Sequence, residues 1–572
     1  MSVVPIHAPR QSSNRPPADP ARRWIINSWV DQLLIVSTPL LAIPAIFALY
    51  SPLGVKAETI SLVVTAFFAV GHHLPGMIRA YADRELFQRF RWRFILAPPL
   101  LFLAYFPLHR YHLDAWRLII IFWATWHGLM QLYGFVRIYD AKVGSTSPVT
   151  AYCDWLVCLC WFVTALLFSP ARLSNLLGHW YGFGGPLIPP EAVLFCRWFC
   201  LTISVAVTIG FAINYTWRLS RGPRPNPIKL LLLASGIGTW WFAVVYVENV
   251  ILGVALFEIC HDIQYLAIVW LYNCRRATAN PQLGRFMSYV FRRGMVLLYL
   301  GLIAAYGAIG LVPALVQDGT VIAIFNGILG TSTILHYYYD GFIWKVREQT
   351  TQAGLGLDQG ASSSPMRQIA VGGLAHLLKW CPLIVVVGWL FVTDGLEPSL
   401  AQTRKNELEE RYAQSLMGRS ILPAGEQERS WLYAQFERAQ VTAAAVPGDR
   451  AAQLRAAIML ANFGRNDEAV DLLDKVLKRY PAFSDAHAIL GGINLYRGNL
   501  DKAWASFQAA LSHATTASER SKVNLKLAEV CLHQNNRARA EAKFEAALRD
   551  NPGLGATIEA LRKGIETSDA AR

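Results

Sequence analysis

The sequence predicts an all-α protein in two parts: a polytopic transmembrane domain of about eleven helices, then an α-solenoid of paired helices. Three observations predict it. Hydrophobic residues make up 54% of the 572, charged residues only 16%, and the mean hydropathy is +0.30, a balance too apolar for a soluble chain of this length. Apolar runs long enough to cross a bilayer recur through residues 27–393. Beyond residue 428 they give way to a 34-residue period.

The apolar runs fall near 27–50, 58–78, 93–108, 115–139, 151–170, 190–215, 229–247, 251–273, 293–315, 320–345 and 367–393, the third being the shortest. Basic residues gather in alternate connections: Arg22 and Arg23, Arg79 to Arg93, Arg218 to Lys229, Arg275 to Arg293, and Lys345 to Arg347. The intervening loops, 51–57, 171–189, 248–250 and 316–319, are poor in basic charge. The positive-inside rule therefore places the N-terminus and the basic loops in the cytoplasm of a bacterial-type inner (plasma) membrane. An odd helix count then exports the C-terminal part to the periplasm or cell exterior. The net charge of +14 belongs to this topology and does not imply a nucleic-acid partner. Residues 1–26 read as a cytosolic tail, since they hold no apolar core of a signal peptide. Eight of the nine cysteines lie in or beside apolar runs, at spacings that suit neither a disulfide framework nor a thiolate metal site.

The second part is repetitive. Gly464-Arg465 returns as Arg497-Gly498, and Ala469, Leu473 and Leu477 return as Ala503, Phe507 and Leu511. A third copy, three residues longer, places Ala540, Phe544 and Leu548, and Pro481 and Pro552 close the first and third. This pattern resembles the tetratricopeptide repeat family over 450–555, and the resemblance implies paired helices forming a concave surface for a protein partner. The expected domains are a cytosolic tail 1–26, a transmembrane catalytic domain 27–393, a connector 394–427 and a repeat domain 428–572, with 428–450 as a helical cap.

Histidine is costly within lipid and marks a cavity, a partner or a ligand. Six lie in the membrane region: His72 and His73 in GHHLPG, His127, His261, His336 and His376. Counted from the basic end of its own apolar run, each falls about 6–12 residues deep, a spread of about 9 Å along the membrane normal. Polar neighbours accompany them. Asp340 stands one turn after His336, Gln131 one turn after His127, and Glu258 and Gln264 flank His261, with Asp262 adjacent but turned toward another partner. His72 and His73 diverge by about 100° on a regular helix, and the Pro75-Gly76 pair offers a disturbance that brings both inward. Gly71 and Gly128 permit close helix approach beside their histidines.

Imidazole nitrogen with carboxylate oxygen is a borderline donor set suited to iron, zinc or manganese. The candidate ligands are His72, His73, His127, His261, His336, Asp340 and His376; Glu258, Asp262 and Tyr265 are the candidate catalytic or orienting groups. Gln131 or Glu258 can accept from the second ring nitrogens. Asp154 can join the site or pair with Arg137, and Arg137, Arg275 and Arg276 can face an anionic lipid head.

The histidine cluster loosely resembles the histidine-rich membrane non-haem di-iron desaturases and hydroxylases, although of their histidine spacings the chain carries only the pair His72-His73. The resemblance implies two irons that activate dioxygen against a lipid or other hydrophobic substrate. Three other readings remain. One is zinc and a hydrolase. Another is haem and an electron carrier. The third is a non-enzymatic transporter or assembly protein whose repeats gather partners.

Overall fold

The computed structural model describes residues 23–343 and 426–562, apart from 111–115, 222, 280–282, 293 and 560, with isolated positions between 381 and 392. Most of the expected eleventh apolar segment, 367–393, with His376, and the basic connection Lys345 to Arg347 lie outside the described residues. The chain divides into two units, one of Met1–Ser169 with Cys196–Gly395, the other of Pro170–Phe195 with Leu396–Arg572.

The first unit is a bundle of apolar helices: α1 (Thr38–Tyr50), α2 (Ala57–Ala82), α3 (Arg84–Arg110), α4 (Trp116–Lys142), α5 (Pro148–Phe168), α7 (Pro190–Arg221, its first residues belonging to the other unit), α8 (Ile228–Tyr246), α9 (Val250–Ala279), α10 (Val296–Leu315) and α11 (Gly319–Ile343). Between α5 and α7 runs α6 (Pro170–Gly182), which belongs to the second unit. Among the described residues eight helices are long and apolar enough to cross a membrane, and a ninth arises if Ser28–Val36 and α1, bent by 48°, act as one span. The expected span at 93–108 lies inside α3, which is not one of them. Its N-terminal half carries Arg84, Arg89, Arg91 and Arg93, and it breaks from helical geometry at Phe90.

A buried ion network ties this bundle at the end where the basic connections lie. Lys229 Nζ donates to Asp140 (2.8 Å) and Asp154 (2.9 Å), and Arg137 donates to the same two carboxylates (2.9 and 2.8 Å). Two cations against two anions leave the cluster neutral, which is what an apolar interior requires of buried charge. Asp31 is also wholly buried, and it accepts from the Ile25 and Ile26 amides and the Tyr139 hydroxyl, fastening the segment before α1 to the end of α4. Arg275 donates to the Ile25 carbonyl and Arg276 pairs with Asp83.

In the second unit α12 (Glu426–Ala445) precedes three helix pairs: α13 (Arg450–Asn462) with α14 (Asn466–Arg479), α15 (Ser484–Tyr496) with α16 (Leu500–His513), and α17 (Ala517–His533) with α18 (Arg537–Asp550). The repeated positions Ala469, Leu473, Ala503, Phe507, Ala540 and Phe544 are buried where the pairs interlock. The turn inside each pair needs a left-handed residue. Gly464 (φ +74°), Gly498 (φ +75°) and Asn535 (φ 57°) supply it, the third copy using asparagine. Segment 170–195 folds with these helices, and Ser174 Oγ donates to Asp449, the N-cap of α13.

Candidate metal centre

The centre starts from a defect in α2. Residues Thr65–Val70 wind as a π-helix, and regular helix resumes only at His73. The disturbance thus precedes the two histidines instead of lying at Pro75-Gly76, which sit in the regular helix that follows, and both His72 and His73 are buried. The neighbouring helix must come close here: a Cβ on Gly71 would lie 2.9 Å from Ile303 Cγ2 of α10. Gly128 does the same between α4 and α9, where a Cβ would meet the Phe257 ring at 2.8 Å. Both glycines are thus close-approach positions, as the sequence suggests.

Four histidines from four helices converge: His72 (α2), His127 (α4), His261 (α9) and His336 (α11), each offering one nitrogen within 4.8 Å of the others. His336 Nε2 lies 3.0 Å from His72 Nε2 and 3.1 Å from His127 Nε2. A neutral imidazole carries one N–H, so His336 Nε2 has a single hydrogen or a single lone pair to set between two neighbouring nitrogens, a conflict unless one hydrogen is shared. A cation meeting their lone pairs removes the conflict. The spacing also fits: two nitrogens about 2.1 Å from one ion and about 90° apart are separated by about 3.0 Å, against about 3.4 Å for a tetrahedral pair. The cluster can hold a metal ion. His72, His261 and His336 are buried, and His127 is half-buried.

The surroundings prepare the donors. His72 Nδ1 lies 3.1 Å from the Phe68 carbonyl, which puts the ring hydrogen on Nδ1 and leaves the Nε2 lone pair free. Asp262 Oδ1 lies 2.8 Å from the same Nδ1, its carboxylate wholly buried, so Asp262, turned from His261, finds its partner in His72. Asp340 Oδ2 lies 3.7 Å from His336 Nε2, and its Oδ1 accepts from the Tyr265 hydroxyl at 3.1 Å. Gly76 keeps this corner open, since a Cβ there would lie 3.3 Å from the Tyr265 oxygen and 3.7 Å from Asp340 Oδ1.

His73 stands beside the quartet. Its ring stacks on His336 (4.7 Å between centroids), and its Nδ1 meets Ser332 Oγ at 2.9 Å, which in turn meets the Tyr306 hydroxyl at 2.8 Å. Glu258 sits on α9 one turn before Asp262. Tyr337 packs its ring 4.8 Å from that of His127.

The expected acceptor Gln131 and the neighbouring Gln264 serve other groups. Gln131 Nε2 donates to the His261 backbone carbonyl and Gln264 Nε2 to the Ile35 carbonyl, so both amides satisfy main chain instead of imidazole. Asp154 pairs with Arg137 in the ion network and not with the histidines. Sequence reasoning missed Asp31, Asp140 and Lys229. Only Lys229, a charge at the head of an apolar run, carried a signal.

Fold and site together define a multi-pass membrane protein with a buried histidine centre that can hold a metal, carrying a helical repeat region. The tetratricopeptide repeat family model matches residues 433–484, 454–519 and 495–554, so the match includes the second half of α12. No curated protein and no solved structure matches the chain.

Proposed function

We propose that the protein is a membrane-embedded, iron-dependent oxidoreductase of the hydroxylase or desaturase type, acting on a lipid or other hydrophobic substrate, with a repeat domain that binds a protein partner. The convergence of His72, His127, His261 and His336, with one nitrogen of each inside 4.8 Å, carries the reading. Imidazole nitrogen with carboxylate oxygen close by is a borderline donor set that iron accepts, and the number of candidate donors exceeds the four that a structural zinc takes. A haem would take only two of the four histidines as ligands and would leave the others and Asp340 without a role.

The quartet and Asp340 would hold one ion, and His73 and Glu258 would be the donors left for a second. Asp262 orients His72, and Tyr265 holds Asp340. The chemistry that iron would supply there is activation of dioxygen toward an unactivated C–H bond. The chain's part is to hold the donors and to bury them from water. The loop 171–189, expected outside, belongs to the same unit as the repeats, which supports an exported repeat domain.

Elemental analysis of the detergent-purified protein tests the proposal. One or two irons per chain, lost in His127→Ala and His261→Ala, is the expected result. Zinc in place of iron redirects the reading to hydrolysis. Absence of any metal, with cellular function intact in both variants, leaves the repeats as the functional part and sinks the oxidoreductase.

A further inference from the structure

Away from the histidines, α7 is the span least covered by the described residues, with 11% of its apolar stretch buried. It is tied to α5 along its length by side-chain hydrogen bonds, Asn214 to Thr150, Trp161 to Thr208, Thr164 to Ser204, and Arg197 to the Leu167 carbonyl. On the side facing α8 a groove of about 620 Å³ remains. Its floor is one face of α8, through Leu230, Ala234, Gly238, Trp241 and Tyr246, a run of about 24 Å along the helix against a hydrocarbon core of about 30 Å. Nothing lies within 4 Å of a Cβ built on Gly238, so the small residues here leave open space and do not bring a helix close.

One end of this groove is basic. Arg218 of α7 donates one terminal nitrogen to Ser147 Oγ (2.5 Å), at the start of α5, while its Nε is buried and has no hydrogen-bond partner among the described residues. Arg221 and Arg224 come next, both exposed. Lys229, at the same end of α8, is already matched by Asp140 and Asp154. The other side of α8 is closed: Phe162 stacks on Trp240 (4.6 Å), Trp240 meets Phe257 (4.8 Å), and Phe257 packs against His261 (6.1 Å). These rings wall the groove from the metal centre, so its occupant is not the substrate.

We propose that this groove binds one acyl chain of an anionic phospholipid, whose phosphate is held by Arg218, Arg221 and Arg224. An apolar trough nearly as long as the hydrocarbon core takes an extended chain, and three arginines at its end, two of them exposed, select a negative head. The lipid fills the gap that α7 leaves and braces it against α8.

Native mass spectrometry of the full-length protein, titrated in detergent with phosphatidylglycerol or with phosphatidylcholine of the same chains, tests this. One phosphatidylglycerol per chain is expected, held well above phosphatidylcholine. Arg218→Gln with Arg221→Gln should weaken it by about 30-fold, about fivefold for each cation. Gly238→Trp, which fills the open floor, should abolish retention of both lipids at that site. Equal retention of the two lipids by the native chain overturns the proposal, as does unchanged phosphatidylglycerol binding in a folded Gly238→Trp. If the tryptophan variant does not fold, the arginine pair at the helix end decides alone. Lipid stoichiometry is read independently of iron, so this proposal and the oxidoreductase reading fail separately.

Discussion

Replacing Asp262 with asparagine distinguishes a metal-ligand cluster from a set of buried histidines that merely pack. The carboxylate is wholly buried and its Oδ1 lies 2.8 Å from His72 Nδ1, behind the ring whose Nε2 faces His336. Carboxylates in that position raise the donor strength of a ligating imidazole and fix its orientation, and their loss typically costs 10–100-fold in metal affinity, about 1.4–2.7 kcal/mol. Asparagine keeps the volume and an acceptor oxygen but removes the charge. Complete burial, which leaves no water to screen that charge, places Asp262→Asn toward the upper end of the range. The assay is competition with a chelator of known affinity on the detergent-solubilised protein, using ferrous ion and then zinc. Gln264→Leu is the control: it sits on the same helix, one turn past His261, and its amide serves the Ile35 carbonyl, so affinity should stay within about twofold. Equal affinities for Asp262→Asn and the native chain would falsify the assignment of His72 as a ligand. So would an equal fall in the control.

Three further outcomes are expected. Gly128→Ala drives a methyl into the Phe257 ring, at 2.8 Å, and Phe257 is held by Trp240; overpacking should cost about 1–3 kcal/mol and lower metal affinity by separating His127 from His261, measured by denaturant titration and metal content. Lys229→Met leaves Asp140 and Asp154 buried with Arg137 alone, a loss of about 3–5 kcal/mol that Asp140→Asn in the same chain should partly recover; equal stability of the single and double variants refutes the network's role. In the repeats, Asn535→Val should destabilise the third pair by about 1–2 kcal/mol while Asn535→Gly is neutral or stabilising, read by hydrogen exchange across 517–550.

The parts that were legible in the sequence are those written locally. Eight apolar segments announce themselves by length and composition, and the repeat by a period that returns alanine and a large apolar residue to the same interlocking position. Helix α3 shows the limit: its apolar half reads as a span, yet the arginines and the break at Phe90 precede it within one continuous helix. Pairing across distance is the part that stayed hidden. Asp262 and His72 stand 190 positions apart, and periodicity on α9 says only that Asp262 turns away from His261, not which group it meets. Asp140 is hidden likewise, because its partner Lys229 looks like one more positive residue in a basic loop. The π-helical turn at 65–70 leaves no mark that composition can show, although the consecutive histidines it serves are plain.

The shared depth of the histidines has a mechanical counterpart in the helix register. A slip of one turn moves a donor by about 5.4 Å along a helix, more than the 4.8 Å within which all four nitrogens lie. The centre therefore exists only if α2, α4, α9 and α11 are fixed against one another to better than a turn, and apolar packing between helices in lipid is a weak guarantee of that. The close approaches supply it. Gly71 lets α2 settle on Ile303, Gly128 lets α4 settle on Phe257, and Gln131 bonds the His261 carbonyl itself, coupling α4 to α9 beside both donors. Gln131 therefore matters for position, not for accepting an imidazole hydrogen. Gln131→Leu should weaken metal binding while leaving each histidine in place, and restoring the hydrogen bond with Gln131→Asn should fail because the shorter side chain does not reach.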